Sequence, residues 1–327
     1  MKIKNSVIGV LFLVILITIL VVALTFSGCL QRGTDKPKIY LSAEKELEYQ
    51  EEVYGDDSDD GFEEDEDVLR IALASITSPR ESLYFYGDLL DLLEDEVDRD
   101  VRITQRQTYG ETNDMIRQGE ADIAFICTYS YVVVADNYNT PIIAVPQVDG
   151  KKHYHSYIIA RKDLEVEDFS DLEGKSFAFT DPLSNSGRLY PLYRLYQLGT
   201  TPEEFFSSNI FTYSHDNSIR SVSKEVVDGA AVDSLIYDYL KNREPGYFEN
   251  LEIIHKSEPF GIQPIVARPG IDEELKIKLR EFFTTLHETS HGREILGHIG
   301  FDKFVEGEDS DYDSIRDLAD VMGYEYH

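Results

Sequence analysis

Basic residues are scarce: 31 Lys and Arg stand against 62 Asp and Glu, a formal charge of −31 over 327 residues. That balance argues against a nucleic-acid partner, because a phosphate backbone would be repelled rather than neutralised. Tryptophan is absent and cysteine occurs only twice, so no disulfide framework is expected. Neither GxxxxGK[ST] nor GxGxxG occurs, which leaves a nucleotide-binding enzyme without support, and no internal repeat stands out. What the chain does have is 42% hydrophobic and 12% aromatic residues, with 21 tyrosines. That is enough to build a core, and the length could hold two domains of ordinary size or one bilobal domain of about 250 residues plus accessories.

The charge is uneven. Glu44 to Asp67 carries fourteen acidic residues against one lysine, a net of −13 that leaves −18 for the rest. Residues 30–67 show little periodic apolar pattern and repel themselves, so they read as a disordered, solvated spacer. Before them, Lys2 and Lys4 precede an uncharged stretch from Ser6 to Phe26 rich in Val, Ile and Leu. Roughly 20 apolar residues suffice to cross the hydrocarbon, so residues 1–29 read as a signal or membrane anchor with the lysines inside. Ser27-Gly28-Cys29 resembles a lipoprotein cleavage site, which makes Cys29 the candidate for lipidation, with an uncleaved span as the alternative. Either way the remainder faces out, on the outer side of the cell membrane. The second cysteine, Cys127, ends the apolar run Ile123 to Cys127 and reads as a buried, unreactive thiol.

From Val68 onward short apolar runs alternate with amphipathic segments. Strands are expected at 68–74, 101–104 and 121–126 with helices at 83–93 and 113–118 between them, a βαβαβ series that favours a mostly parallel sheet. A second series follows: strands at 154–160, 176–180, 210–213, 229–231 and 251–255, with helices at 188–198, 218–227 and 233–240. An apolar run at 264–267 and a charged amphipathic helix at 272–288 close the pattern. The fold class is α/β, and the two series in succession suggest two lobes with the chain returning to the first.

The sharpest segment runs from Phe177 to Arg188, an apolar strand ending in Asp181-Pro182 and then Leu183-Ser184-Asn185-Ser186-Gly187 opening a helix. Ser and Asn suit helix N-caps, and the free N–H groups of a first turn, with the positive end of the helix dipole, make an anion cradle. Gly187 is expected to let a ligand approach the backbone closely. Two further segments fall in order behind it, Ser214-His215-Asp216-Asn217 and Val227 to Ser234. With Leu69-Arg70-Ile71-Ala72, Gln118 to Phe125 and Asp311 to Arg316, this ordered set resembles the substrate-binding proteins of phosphate, phosphite and phosphonate ABC importers, the PhnD-like group, over about Val68 to Tyr324.

The resemblance implies a two-lobed type II periplasmic-binding-protein fold with a hinge and an interlobe ligand cleft. Residues 68–152 and 261–327 would form one lobe and 153–260 the other, joined near 151–157 and 260–265. It implies capture of a small phosphorus oxyanion, a phosphonate, phosphite or phosphate, and delivery to an ABC permease by a monomer without cofactor, metal or catalysis. The oxyanion would sit at Ser184, Asn185, Ser186 and Gly187, with Tyr109, Thr128, Tyr154 and His215 alongside. Asp216 and Asp233 would act as a filter, accepting a proton from a protonated oxygen or a ligand amine and repelling a dianion. Two departures from the family pattern stand out: Cys127-Thr128-Tyr129 follows the third strand, and Thr180 replaces a glycine. Other classes left open are a receptor or sensor for another small anion, and a zinc hydrolase. The latter is raised by His287-Glu288-Thr289-Ser290-His291, an HExxH pattern that would place two histidines on one helical face.

Overall fold

The computed structural model describes residues 67–324. The expected anchor at 1–29, Cys29 and nearly all of the acidic spacer lie outside the described residues, as do 325–327. Among the described residues no helix is long and apolar enough to cross a membrane.

The first lobe is a six-stranded sheet. Strand β1 (Val68–Leu73) pairs in parallel with β2 (Asp100–Gln105) and β3 (Ile123–Phe125). Helix α1 (Pro79–Val97) connects β1 to β2, and α2 (Tyr109–Gln118) connects β2 to β3. After β3 come α3 (Thr128–Tyr138) and β4 (Ile142–Gln147). The sheet is completed by strands from the far end of the described chain, β12 (Ile265–Ala267) between β3 and β4 and β13 (Lys303–Val305) on the outer edge. Central strands buried on both faces read as continuous apolar runs. The charged exception in β1, Arg70, is held by Asp122, which Arg268 also reaches.

The second lobe is a five-stranded sheet built from β6 (Ser156–Arg161), β7 (Ser176–Phe179), β8 (Ser208–Phe211), β9 (Gly229–Asp233) and β10 (Leu251–Lys256). Their order in the sheet is β10-β6-β9-β7-β8. Helix α4 (Tyr190–Leu198) follows β7 after one wide π turn, Asn185–Leu189. Helices α5 (His215–Ser223) and α6 (Ser234–Arg243) flank β9 in sequence. Phe169, Phe177, Phe205 and Phe206 stack and abut edge-on in its core.

The chain crosses between the sheets twice, and the two crossings pair with each other. Strand β5 (His153–Tyr154) and β11 (Phe260–Gly261) form a two-stranded antiparallel ribbon, Tyr154 opposite Phe260. After β12, α7 (Glu273–Thr285) and α8 (Ser290–Ile299) return to the first lobe, and α9 (Asp313–Met322) ends the described chain. Ile315, Ala319 and Met322 recur at helical spacing and are buried, which gives α9 one apolar face; that face joins an apolar cluster drawn from both lobes.

Candidate functional site

Three helix starts converge on the cleft from separate parts of the sequence. Helix α2 opens at Tyr109 behind Thr108, whose hydroxyl accepts from Glu111 N–H (3.2 Å) while the Glu111 carboxylate accepts from Thr108 N–H (2.7 Å). This reciprocal pair fixes the helix start. Helix α3 opens at Thr128 directly after β3. On the second lobe the π turn opens at Asn185, and Ser184 Oγ accepts from Gly187 N–H at 3.0 Å. Each start presents N–H groups that no preceding turn can satisfy, so the cleft is positively polarised without a basic side chain.

The side chains of these starts are linked. Tyr154, on the crossing ribbon, shares a hydrogen bond with the Thr128 hydroxyl at 2.8 Å and accepts from Asn185 Nδ2 at 3.0 Å. One chain of contacts thus runs from the first lobe through the ribbon to the second. Across the cleft, Tyr109 N–H donates to Asp181 at 3.1 Å. The amides of Asn185 and Tyr129 reach the sulfur of Cys127. Burial pushes that thiol up to about 11, and it is neutral. Burial likewise raises the phenols of Tyr109 and Tyr154 well above their ordinary value, so both are neutral hydroxyls.

Four buried polar atoms at this junction have no hydrogen-bond partner: Tyr109 Oη, Asn185 Oδ1, Ser186 Oγ and His215 Nε2. Buried polar groups in native proteins are nearly always paired, so these four, each on an expected site residue, are exceptions that call for an explanation. The tautomer of His215 follows from its other nitrogen. Nδ1 accepts from Asp233 N–H at 3.0 Å and lies 3.1 Å from Thr180 Oγ1. Burial drives the imidazole down to about 3. It is therefore neutral, and the proton sits on Nε2 as a donor. Thr180, one of the two departures from the family pattern, is part of what holds this ring.

Several expectations change. Gly187 has a packing reason besides the expected one: a Cβ there would lie 2.4 Å from both Cβ and Oγ1 of Thr180 and 2.9 Å from Ser184 Oγ, so the glycine makes room for Thr180. Asp216 is also displaced from the filter role. Its Oδ1 accepts from Ser78 N–H (2.8 Å), and its Oδ2 accepts from Ser78 Oγ (2.7 Å) and Arg220 (2.6 Å). Ser78 belongs to the first lobe, so this carboxylate joins the lobes instead of facing the four atoms. Beside it, Glu81 of α1 binds Arg220 at 3.1 Å and also Arg243, and His215 N–H donates to Ile76 O at 3.0 Å. Asp233 stays next to His215, but its Oδ1 caps α6, accepting from Leu235 N–H at 2.7 Å, and its Oδ2 accepts from Gln263. Burial nonetheless pushes it up to about 7, against those hydrogen bonds.

Asp181 is a site residue that sequence reasoning quoted but gave no role. It is fully buried, accepts from Leu183 N–H (2.8 Å) as well as from Tyr109, and is raised by burial to about 6. Cys127, expected as a buried thiol and as part of the departure after the third strand, is buried beside Asn185. The HExxH pattern is broken. Leu286–Glu288 is a single turn, Thr289 is extended and caps α8, and His291 lies in that second helix. The two histidines do not share a helical face. Among the described residues no group of three His, Cys, Asp or Glu is arranged to hold a metal ion.

Comparison with known proteins agrees with this architecture. The family model described as ABC transporter, phosphonate, periplasmic substrate-binding protein matches residues 71–312. The phosphonates-binding periplasmic protein of Escherichia coli is 26% identical over 262 residues, 79% of this chain and 77% of that protein. The phosphate-import protein PhnD of Mycolicibacterium smegmatis is 27% identical over 336 residues, 93% of this chain and 94% of that one. Among solved structures, a binding protein component of a Pseudomonas aeruginosa ABC phosphonate transporter aligns with TM-score 0.74 at 23% identity, covering 78% of this chain and 86% of that one. PhnD1 of Prochlorococcus marinus, in complex with methylphosphonate, aligns with TM-score 0.72 at 21% identity, covering 79% and 99%. The chain belongs to the periplasmic substrate-binding proteins of phosphonate ABC transporters.

Proposed function

We propose that this protein captures a singly protonated phosphorus oxyanion, a phosphonate or phosphite, between its lobes and hands it to a membrane permease. The observation that carries this reading is the set of four buried, unpartnered atoms. Tyr109 Oη, Ser186 Oγ and His215 Nε2 can each donate, while Asn185 Oδ1 can only accept. An anion that offers several oxygens and one P–OH matches three donors and one acceptor. The Thr128 hydroxyl becomes a fourth donor when Tyr154 gives its own proton to Thr128. Asp181 and Asp233 stand close by, raised to about 6 and about 7 by burial. When ionised they repel a dianion more than a monoanion, which favours the singly charged form of the ligand.

Residues 68–152 and 261–324 act as one rigid body and 153–260 as the other, with the β5–β11 ribbon as the hinge. The N-terminal stretch holds the monomeric receptor at the outer face of the membrane, through lipid on Cys29 or as a single span. Cys29→Ser separates these two: release of the protein from membranes supports the lipid, and retention supports the span. The ligand is tested by calorimetry of the full chain in detergent against phosphate, phosphite, methylphosphonate, aminoethylphosphonate and sulfate. Saturable binding of phosphite or a phosphonate at least tenfold tighter than phosphate and sulfate is expected. Binding by none of the five refutes the proposal.

A further inference from the structure

After β13 the chain makes one more pass over both lobes. The turn Asp309–Tyr312 rests on the ribbon. Tyr312 Oη donates to Ile262 O at 2.8 Å, Lys152 meets Asp311 at 3.2 Å, and Gly261 of β11 leaves no room for a Cβ against the Asp311 carbonyl. Helix α9 then packs on α3 of the first lobe and on both α4 and the π turn of the second, while α3 meets the π turn as well. These are the elements that open at Thr128 and at Asn185. One helix thus lies against both of the helical elements whose first turns build that part of the cradle.

The two grips of α9 differ in chemistry. Arg316 donates to Asp136 of α3 from Nη2 (2.7 Å) and from Nε (3.0 and 3.2 Å), and its Nη2 also reaches Asp309 at 2.8 Å. Asp309 accepts from Tyr131 Oη of α3 at 2.8 Å, and the Tyr131 ring packs on Tyr312 with centroids 4.5 Å apart. A planar guanidinium forked onto carboxylates fixes orientation as well as charge. Toward the second lobe the surface is apolar: Ile315, Ala319 and Met322 share one buried cluster with Leu189, Leu192 and Leu195. Apolar burial has no direction of its own, so this face can shear where the fork cannot.

We infer that Arg316 is a positioning residue for the anion cradle: by bolting α9 to α3 it makes α9 a strap that holds the π turn of Asn185 and Ser186 against the start of α3 and resists rotation at the ribbon. The inference rests on the hinged-receptor reading above and adds what governs opening and ligand release. With α9 fixed to the first lobe, a rotation either pulls α4 off its apolar face or drives α4 into it. Both disturb the same packing, so a loosened strap eases opening whichever way the lobes turn. The carboxylates that Arg316 holds, Asp136, Asp309 and Asp313, all belong to the first lobe. Its effect on release therefore passes through α9, unlike that of Glu81, whose partners lie on the opposite lobe.

The test compares the full chain in detergent as wild type, Arg316→Ala and the milder Asp136→Asn. Hydrogen exchange without ligand is read over Asn185–Leu189, and release of methylphosphonate and of phosphite is followed by tyrosine fluorescence in stopped flow. Arg316→Ala should speed exchange in that second-lobe turn at least threefold and release about fivefold. Asp136→Asn should move both in the same direction, and the double variant should add little to Arg316→Ala because the two residues share one contact. Leu93→Ala is the control: it hollows the separate apolar core that α1 and α7 share with the first sheet, lowers the denaturation midpoint and should leave release within twofold. Unchanged exchange at Asn185–Leu189 in both variants overturns the strap. Faster exchange with release within twofold overturns its hold on the ligand, as does release that quickens equally in Leu93→Ala. If wild type binds neither anion, the oxyanion reading fails, and exchange alone decides the strap.

Discussion

Replacing Glu81 with glutamine tests whether charged contacts between the lobes hold the cleft shut. Glu81 lies on α1 of the first lobe with its side chain 1% exposed. Its two oxygens meet Arg220 (3.1 Å) and Arg243, both on the second lobe. Arg220 also holds Asp216 at 2.6 Å, and Asp216 in turn is bonded to Ser78 of the first lobe. A charge-assisted hydrogen bond contributes about 1.5–3 kcal/mol, and Glu81 makes two. The arginines remain 22% and 25% exposed, and in an open state all these groups regain water, so much of the sum cancels. A net preference of about 2 kcal/mol for the closed state remains, equal to roughly thirtyfold in an equilibrium constant. Glutamine keeps the shape and one acceptor but loses the charge. Calorimetry of E81Q with the tightest ligand of wild type should show Kd raised about thirtyfold, chiefly through faster release measured by stopped flow. Scattering should show a larger radius of gyration without ligand. Because the contact is between opposite charges and its arginines are partly exposed, the wild-type affinity should also fall with added salt more steeply than that of E81Q. A Kd within twofold of wild type, with unchanged salt dependence, would refute the latch.

Three further perturbations probe the cradle. His215→Phe keeps a ring of similar size and removes the Nε2 donor, so oxyanion affinity should fall by about tenfold to a hundredfold, read by calorimetry, while far-UV circular dichroism stays native. Gly187→Ala places a Cβ 2.4 Å from Thr180 and should cost about 1–3 kcal/mol, seen as a lower denaturation midpoint. Thr180→Gly in the same chain should recover most of that loss, and a midpoint that ignores Gly187→Ala counts against the packing account. Asp233 is raised by burial from 3.8 to about 7, so between pH 4 and 7 the native state keeps a proton that the unfolded chain has lost. Stability from this group is therefore fully present below pH 4 and is lost as pH rises through 7. Urea titrations across this window should show a shallower decline with pH in Asp233→Asn than in wild type, and equal slopes would contradict the assignment.

Much of the second lobe was legible because its signals are local. Buried strands such as Ser176–Phe179 are short apolar runs, and Ser184 to Gly187 announce a capped helix whatever the partner. Thr128–Tyr138 was not legible. Its Val132, Val133 and Val134 and its three tyrosines favour strand by propensity, yet burial of residues 128–132 on all sides and a left-handed stop at Asn139 accompany a helix, so tertiary packing overrides a weak preference. Ile142–Gln147 carries Pro146, a residue strands usually confine to edges, and it lies opposite Phe304. The contacts of Asp216 and Gly187 were not legible for a related reason. Each is made with a residue elsewhere in the chain, Ser78 across 138 positions for Asp216 and Thr180 just after the preceding strand for Gly187. A single sequence carries no trace of such pairings. His215 shows the limit from the other direction: its place in Ser214-His215-Asp216 drew notice, but the tautomer that makes it a donor depends on the backbone amide of Asp233.

A chain with a net charge of −31 that binds an anion has to separate the charges that hold it together from those the ligand meets. The described structure does this by position. Full charges sit between the lobes, where Glu81, Asp216, Arg220 and Arg243 answer one another and regain water when the cleft opens. Within the cleft the donors are neutral: phenol and serine hydroxyls, an imidazole held in one tautomer, and amides at three helix starts. Neutral donors fixed in place bind an anion without the large desolvation cost that a buried lysine or arginine would carry into the closed state. They also leave the ligand free to depart once the contacts between the lobes part. The latch and the cradle are thus separable parts of one design. Latch substitutions should change how fast ligand leaves, and cradle substitutions should change which ligand is chosen.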